Sequence, residues 1–173
     1  KDKATLFADE ANKIDQYLKS MHCEMWIWGD RLIDGTVSGL GMWEAATNGT
    51  APAIDLINKD IVICDWHYEQ AVPTAVYFAM KGLRVVSCPW RKPEVAVQQV
   101  NDLLRFRKNS PTEMSWRFQG VVQTVWSDAG AFMDDFYGIR KNEEEDAGGN
   151  QTPAACFRAL FDAIKTNLDS ARN

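Results

Sequence analysis

The sequence predicts an α/β fold, a partial TIM (β/α) barrel with about four parallel strands and flanking helices. Four apolar segments of strand length are separated by helical patterns, and each apolar run leads into Trp or Asp. Alternating strands and helices are typical of a parallel sheet with right-handed crossovers. Because a closed barrel needs eight strand–helix units, this chain corresponds to a half barrel or to an open sheet.

The four predicted strands share one pattern, an apolar run followed by polar and aromatic residues. In DIVICDWHYE, the apolar run at positions 61–64 is followed by Asp65, Trp66, His67 and Tyr68. A continuous apolar run of this kind is typical of a strand that is buried on both faces. The four segments are Glu24–Asp30, Asp60–Glu69, Leu83–Trp90 and Gly120–Asp128, and the fourth strand is predicted to span Gly120–Trp126.

Helical periodicity and proline positions place helices around these strands. A first helix is predicted over Thr5–Lys19, where apolar residues recur at helical spacing. Proline in the first turn is a common helix start, and Gly82 and Ser110-Pro111 are predicted helix ends. The predicted helix starts are Pro52 with Thr50, Pro73, Pro93, and Pro153 with Thr152.

Two connections carry further features. The segment Arg31–Thr50 is long and Gly-rich, and loops of this length are usually functional or disordered. Trp43-Glu44 within it is either a contact at the rim of a site or loop packing. The connection after the fourth strand is predicted to be a long loop, with the acidic run Glu143–Asp146 as its solvated tip.

Size and charge limit the classes of function. With 173 residues, the chain is predicted to form a single domain over residues 1–173. Its net charge of −5 argues against a duplex nucleic-acid partner, which needs a basic face. No apolar run approaches the roughly 20 residues of a membrane span, so no membrane partner is expected. The chain begins at Lys1 without Met, which indicates processing or a segment cut from a longer protein.

The cysteines and histidines do not predict a metal site. The four cysteines form no CxxC pair, and we expect them to be buried, free thiols. His22 and His67 have no cysteine or carboxylate at metal-ligand spacing, so we expect both to be hydrogen-bonded structural residues. We therefore predict no metal and no cofactor.

Aromatic and acidic residues at the strand ends predict a binding pocket. Residues two apart on a strand share a face, as Trp66 and Tyr68 should. Indole rings can pack on the C–H face of a sugar, while carboxylates and phenols bind its hydroxyls, so a carbohydrate ligand is expected. The alternative is that the tryptophans fill the core. The predicted substrate-binding residues are Trp28, Asp30, Trp66, Tyr68, Trp90, Trp126 and Asp128.

These same stretches resemble the C-terminal half of the catalytic barrel of glycoside hydrolase family 20. LFADEANKIDQYLKS followed by EMWIWGDRLIDG resembles the fourth helix and fifth strand of that barrel. DIVICDWHYE resembles the sixth strand, RVVSCPW the seventh and GVVQTVWSD the eighth, so the resemblance runs from about Leu6 to Tyr137. It implies a parent enzyme similar to the β-N-acetylhexosaminidases, which hydrolyse β-linked hexosaminides with assistance from the substrate's own acetamido group.

The resemblance also implies roles for individual residues. Trp28 and Trp66 resemble the fifth- and sixth-strand tryptophans of the family's sugar pocket, and Trp126 resembles the tryptophan beneath the sugar ring. Asp128 occupies the position of an acidic residue that binds sugar hydroxyls. The family has an Asp and a Tyr after its seventh strand, where this chain has Cys88-Pro89-Trp90.

The catalytic Asp-Glu pair of the family ends the fourth strand, which lies upstream of Lys1 in this correspondence. The pair Asp9-Glu10 falls in the helix that follows, and we interpret it as a solvated helix face. The chain is thus expected to carry the sugar-binding walls without the acid and to be inactive alone. A missing N-terminal half barrel or a homodimer would complete the barrel, and the resemblance implies a periplasmic or extracellular location.

Two other functions stay open at this point. A non-catalytic carbohydrate-binding or interaction module with an open flavodoxin-like sheet also fits a chain of this length. It should behave as a monomer, whereas a half barrel exposes an apolar inner face that soluble monomers rarely tolerate. A nucleotide-binding α/β domain is the third alternative, but neither GxGxxG nor GxxxxGK[ST] occurs in the sequence.

Overall fold

The chain has an α/β fold with a four-stranded, all-parallel sheet flanked by helices, as described by a computed structural model of residues 1–139 and 151–172. This confirms the predicted fold class. The acidic run Glu143–Asp146 lies outside the described residues. The strands are Trp26–Trp28 (β1), Val62–Trp66 (β2), Arg84–Cys88 (β3) and Phe118–Val121 (β4).

The helices alternate with the strands along the chain. The longer ones at the predicted positions begin and end close to the expected residues, and Thr152 caps the last helix through a hydrogen bond from the Ala155 amide. The α-helices are Lys3–Ser20 (α1), Gly35–Ser38 (α2), Thr74–Met80 (α3), Pro93–Asn109 (α4), Thr112–Ser115 (α5), Ala129–Tyr137 (α6) and Pro153–Arg172 (α7), with 3₁₀ helices over Asp30–Leu32 and Ala51–Asp55.

Neighbouring strands pair in chain order, β1-β2-β3-β4. Trp28, at the end of β1, lies opposite Cys64 of β2. Trp66, at the end of β2, lies opposite Cys88 of β3. Because all the strands are parallel, their carboxyl ends meet at one edge of the sheet.

The main core lies between one face of the sheet and the helices. When strands follow one another in chain order, right-handed crossovers place the connecting helices on the same face. Phe78 of α3 is fully buried there, in one cluster with Ile63 of β2 and Val85 of β3. Leu103 of α4 and Ala8 of α1 belong to the same cluster, so three helices share a single core with the sheet.

The opposite face of the sheet has a different environment. Val62 and Val86 form a separate buried cluster there, made of strand residues in the described part of the chain. The strand register puts Trp26 and Trp28 on this face, where they stay 47% and 43% exposed. A half barrel has such an exposed inner face, and the strand order lacks the reversal of a flavodoxin-like sheet. The half barrel itself stays a prediction, because four strands leave the sheet open.

The fourth strand differs from its prediction. The sequence predicts Gly120–Trp126, whereas β4 spans Phe118–Val121. The register with β3 slips at this point, and Gly120 has a φ of +155°, as in a β-bulge. Beyond β4 the chain still follows β3, since the Thr124 amide donates to the Pro89 carbonyl over 2.9 Å. A loop therefore carries Trp126, and the prediction that a strand does so is wrong.

Two further predictions of local structure are also wrong. The connection after β4 is not entirely a loop, because it contains α6. Asp128 is the N-cap of α6 and accepts a hydrogen bond from the Ala131 amide over 3.0 Å. The helix predicted to start at Thr50 and Pro52 is only the short 3₁₀ helix Ala51–Asp55.

The cysteines are free thiols, as predicted, but they are not all buried. Cys88 and Cys156 are buried, Cys64 is half-buried and Cys23 is exposed. Within residues 1–139 and 151–172, no helix is both long enough and apolar enough to cross a membrane.

We expect Phe78→Ala to destabilise the fold strongly. Phe78 is completely buried in the main core, and truncating a buried Phe typically costs about 3–5 kcal/mol. Tyr77→Ala is the matched control, since Tyr77 is the preceding residue of α3 and is 37% exposed. Urea unfolding should give a much larger loss for Phe78→Ala. Equal losses would contradict the assignment of α3 to the core.

Candidate functional site

A cavity of about 580 Å³ lies at the edge of the sheet where the parallel strands end. This volume is within the roughly 300–1,000 Å³ of typical small-molecule sites. Asp128 does not line the cavity, so its predicted contact with sugar hydroxyls stays a prediction. The other six predicted residues all line it: Trp28, Asp30, Trp66, Tyr68, Trp90 and Trp126.

The aromatic residues of the cavity are in contact with one another. The ring centroids of Trp66 and Tyr68 are 4.9 Å apart, and those of Tyr68 and Trp90 are 5.5 Å apart. Trp28 and Trp126 form a second pair at 5.9 Å. The Trp126 indole N–H donates to the Tyr68 hydroxyl over 2.6 Å and joins the two groups. The result is one continuous aromatic wall.

Tyr68 is the polar centre of this wall. Burial is the largest influence on its pKa and raises it above the ordinary value, against the hydrogen bonds with Thr124 and Trp126. The phenol is therefore neutral at neutral pH and keeps a proton that it can donate.

Asp30 holds one of the tryptophans in place. Its Oδ1 accepts a hydrogen bond from the Trp66 indole N–H over 3.1 Å. Its Oδ2 pairs with the Arg31 guanidinium over 2.6 Å, and the side chain is only 11% exposed. Asp30 thus fixes the orientation of the Trp66 ring while Arg31 balances its charge.

The cavity includes five residues that the sequence analysis did not assign to it: Arg31, Trp43, Glu44, Glu69 and Arg91. The Trp43 ring packs edge-on against Trp66 with centroids 5.9 Å apart, so of the two interpretations of Trp43-Glu44 the rim contact is correct. The Arg91 guanidinium lies 4.6 Å from the centre of the Trp90 ring. Glu69 and Arg91 follow strand-end aromatic residues directly, which is a signal that sequence reasoning could have used.

Glu69 is tied to the following helix. Its carboxylate pairs with Lys92 over 2.7 Å and lies 3.6 Å from the Arg91 guanidinium. The hydrogen bond from Lys92 is the main cause that lowers the pKa of Glu69. The carboxylate is therefore an ionised acceptor at one side of the cavity.

The connection that carries Trp43 and Glu44 is held by its own backbone. The Gly35 amide donates to the Ala46 carbonyl, and the Ala46 amide donates to the Ile33 carbonyl, both over 2.9 Å. A Cβ on Gly35 would lie 1.9 Å from the Gly41 carbonyl oxygen, so only glycine fits there. This geometry fixes where the loop meets the cavity.

Behind the cavity lies a buried cluster of His67, Glu44, Asp65 and Thr74. His67 is 1% exposed, and its Nδ1 lies 2.7 Å from Glu44 Oε2 while its Nε2 lies 2.6 Å from Thr74 Oγ1. The Thr74 hydroxyl donates to the Asp65 carboxylate over 2.8 Å. The prediction that His67 is a hydrogen-bonded residue is confirmed.

The hydrogen-bond directions in this cluster determine the charge of His67. Thr74 has one hydroxyl proton, which it gives to Asp65, so its oxygen must accept from His67 Nε2–H. Glu44 accepts from Nδ1–H, so both ring nitrogens carry a proton. Burial lowers the pKa of His67, but the hydrogen bonds and charges of Asp65 and Glu44 outweigh burial and raise that pKa to about 9. His67 is an imidazolium at neutral pH.

The adjacent acidic residues of α1 lie elsewhere. Asp9 pairs with Lys1 over 2.5 Å and Glu10 pairs with Lys13 over 3.2 Å, and neither lines the cavity. In the described parts of the chain, no three His, Cys, Asp or Glu side chains come together as metal ligands.

No known protein family matches the chain, and no curated protein matches it either.

The stability of the fold should fall as the pH rises from about 6.5 to about 9. The folded-state pKa of His67 is raised to about 9 from an unfolded value of 6.5, so its contribution is complete below pH 6.5 and is lost through pH 9. At about 1.36 kcal/mol per pKa unit, the loss is on the order of 3 kcal/mol. Urea unfolding across this range measures it.

His67→Gln provides the control for this prediction. The variant lacks the titrating group, so the stability difference between wild type and variant should shrink as the pH rises. A difference that stays constant between pH 6.5 and 9 would mean that His67 does not change its charge in this range.

Proposed function

We propose that this chain is the sugar-binding part of a glycoside hydrolase similar to family 20, which acts on β-linked, N-acetylated hexosaminides. The observation that supports this most is the composition of the cavity. The chain has seven tryptophans, and five of them line this one space. Core filling would not collect tryptophans at a single half-open edge of the sheet.

The charges around the cavity favour a neutral ligand that is rich in hydroxyl groups. A carboxylate with a cationic neighbour can still accept hydrogen bonds from a ligand, but it offers little net charge to attract an ion. Sugars match this combination, because their hydroxyls need acceptors and their C–H faces need apolar walls. The three lining carboxylates are paired as Asp30 with Arg31, Glu44 with His67, and Glu69 with Lys92.

The architecture supports the half-barrel part of the proposal. Consecutive parallel strands with their helices on one face are the repeating unit of a (β/α) barrel, whose sites lie at the carboxyl ends of the strands. The aromatic cavity lies at that edge. Asp9 and Glu10 are paired with lysines away from the cavity, so neither is placed to act as the acid, and the proposal assigns that acid to a part of the enzyme outside this chain.

A non-catalytic carbohydrate-binding module is the second candidate. This candidate is favoured because the chain alone forms the aromatic wall. The Trp126–Tyr68 hydrogen bond joins the two groups of rings in that wall. The two candidates share the sugar site and differ in what covers the exposed face of the sheet.

Sugar binding should depend on the aromatic wall. We expect Trp126→Ala to weaken binding of methyl β-N-acetylglucosaminide at least tenfold, because it removes one ring of the wall and the donor to Tyr68. A tenfold change corresponds to about 1.4 kcal/mol. Trp116→Ala is the control, since Trp116 is 52% exposed and lies outside the cavity. Isothermal titration calorimetry measures both, and equal affinities would contradict the proposed site.

The oligomeric state should separate the two candidates. A half barrel with Trp26 and Trp28 exposed on its inner face should associate through that face in solution. We expect a dimer by light scattering, with Trp26→Ser shifting it towards the monomer. Tyr17→Ser on α1, where Tyr17 is 66% exposed, should leave the dimer unchanged. A monomeric wild type would favour the binding module over the half barrel.

A further inference from the structure

Glu44 lines the cavity, and one of its two carboxylate oxygens accepts a hydrogen bond from His67. Its side chain is 12% exposed and lines the cavity. Oε2 accepts from His67 Nδ1–H over 2.7 Å, while Oε1 has no hydrogen-bond partner among the residues that the structure describes. A carboxylate that lines a cavity and has an oxygen without a partner among those residues can accept a hydrogen bond from a ligand.

Two independent constraints hold this carboxylate. The backbone of its loop is fixed by the hydrogen bonds around Gly35 and by the packing of Trp43 on Trp66. The side chain is fixed by His67, whose other nitrogen is held by Thr74. Binding groups need support of this kind, because an acceptor that moves loses both affinity and selectivity.

The buried cluster of His67, Glu44, Asp65 and Thr74 is not explained by a gain in stability. A buried ion pair usually gains no more stability than apolar residues of the same volume, because two charges must leave water. Here a doubly protonated His67 lies between Glu44 and Asp65 at 1% exposure, directly behind the cavity wall. Its placement next to a cleft, with one carboxylate reaching that cleft, is typical of a functional site.

From these observations we propose that Glu44 is a ligand-binding residue whose Oε1 accepts a hydrogen bond from one sugar hydroxyl or amide N–H. His67, Asp65 and Thr74 are its positioning residues. The inference rests on the proposed function, since it assumes that the cavity binds a sugar. It adds a specificity determinant, because a charged acceptor selects ligands that carry a donor at that position.

The test uses the whole chain and methyl β-N-acetylglucosaminide, followed by its 3-, 4- and 6-deoxy analogues, in calorimetric titrations. Glu44→Gln keeps the shape of the side chain and removes its charge. We expect this variant to bind the parent sugar at least tenfold more weakly, since hydrogen bonds to charged groups are the stronger ones. We also expect it to lose the wild-type preference for the parent sugar over one of the analogues. Glu113→Gln, on the exposed surface of α5, is the matched control and should bind as wild type does.

A second measurement needs no cavity variant. The chain has two histidines, so ¹⁵N-labelling of histidine and a His22→Gln variant assign the ring signals of His67. We expect both ring nitrogens to be protonated at neutral pH, and the Nδ1–H signal to shift when the sugar is added. A His67 with a purely structural role would show no such shift on binding.

The outcomes separate this inference from the proposed function. Wild-type binding with equal affinity in Glu44→Gln, or with no movement of the His67 Nδ1–H signal, overturns the role of Glu44 and leaves the sugar site intact. The absence of binding of every sugar by the wild type overturns both. Should Glu44→Gln fail to fold, the His67 signal in the wild-type chain still decides between the two results.

Discussion

Parallel, in-register pairing of β1, β2 and β3 is the constraint on which the rest of the structure depends. The pairing puts Trp28 beside Cys64 and Trp66 beside Cys88, so the strands end at neighbouring positions along one edge. Residues that follow the strands, such as Tyr68 and Trp90, then have to lie over that edge. A shift of one residue in any pair would turn the alternating side chains to the other face of the sheet and separate the aromatic residues.

The second organising interaction is the buried imidazolium of His67. It joins β2 to α3 through Thr74, and to the loop after β1 through Glu44, so one charged group links three parts of the chain. Gln99 of α4 adds a fourth by donating to the His67 carbonyl over 2.9 Å. Each N–H of the ring has an acceptor close by, and this favours the imidazolium over the neutral ring. This makes the position of Glu44 dependent on the protonation of His67.

The sequence predicted the parallel sheet and most of the aromatic wall, because both follow from local patterns. An apolar run marks a buried strand, and whatever follows a parallel strand must reach the same edge. The contact of Trp66 with Tyr68 follows from this rule. The position of Trp43 and Glu44 at the cavity does not follow from this rule. Their loop returns to the cavity through backbone hydrogen bonds, and such bonds have no signature in the sequence.

The errors have equally local causes. The strand pattern of Gly120–Trp126 continues past the point where a bulge ends the regular pairing, so the pattern predicts a strand at Trp126 where the structure has a loop. The place of Asp128 two residues after Trp126 predicts a contact with the sugar. The Asp128 carboxylate is also the N-cap of α6, a role that an Asp before a helix commonly has and that the prediction of a loop did not include.

The pairing of each cavity carboxylate with a cation also indicates whether these carboxylates could act as a general acid or only bind a ligand. A general acid must hold a proton near neutral pH, and enzymes raise the pKa of such a carboxyl by burial away from cations. Glu69 has the opposite environment, since Lys92 lowers its pKa, and Asp30 and Glu44 face Arg31 and the His67 imidazolium. Glu69 is therefore placed as an acceptor and not as a proton donor, while Asp30 and Glu44 each pair with a cation. If this cavity belongs to a hydrolase, we expect its acid to be a residue other than Glu69.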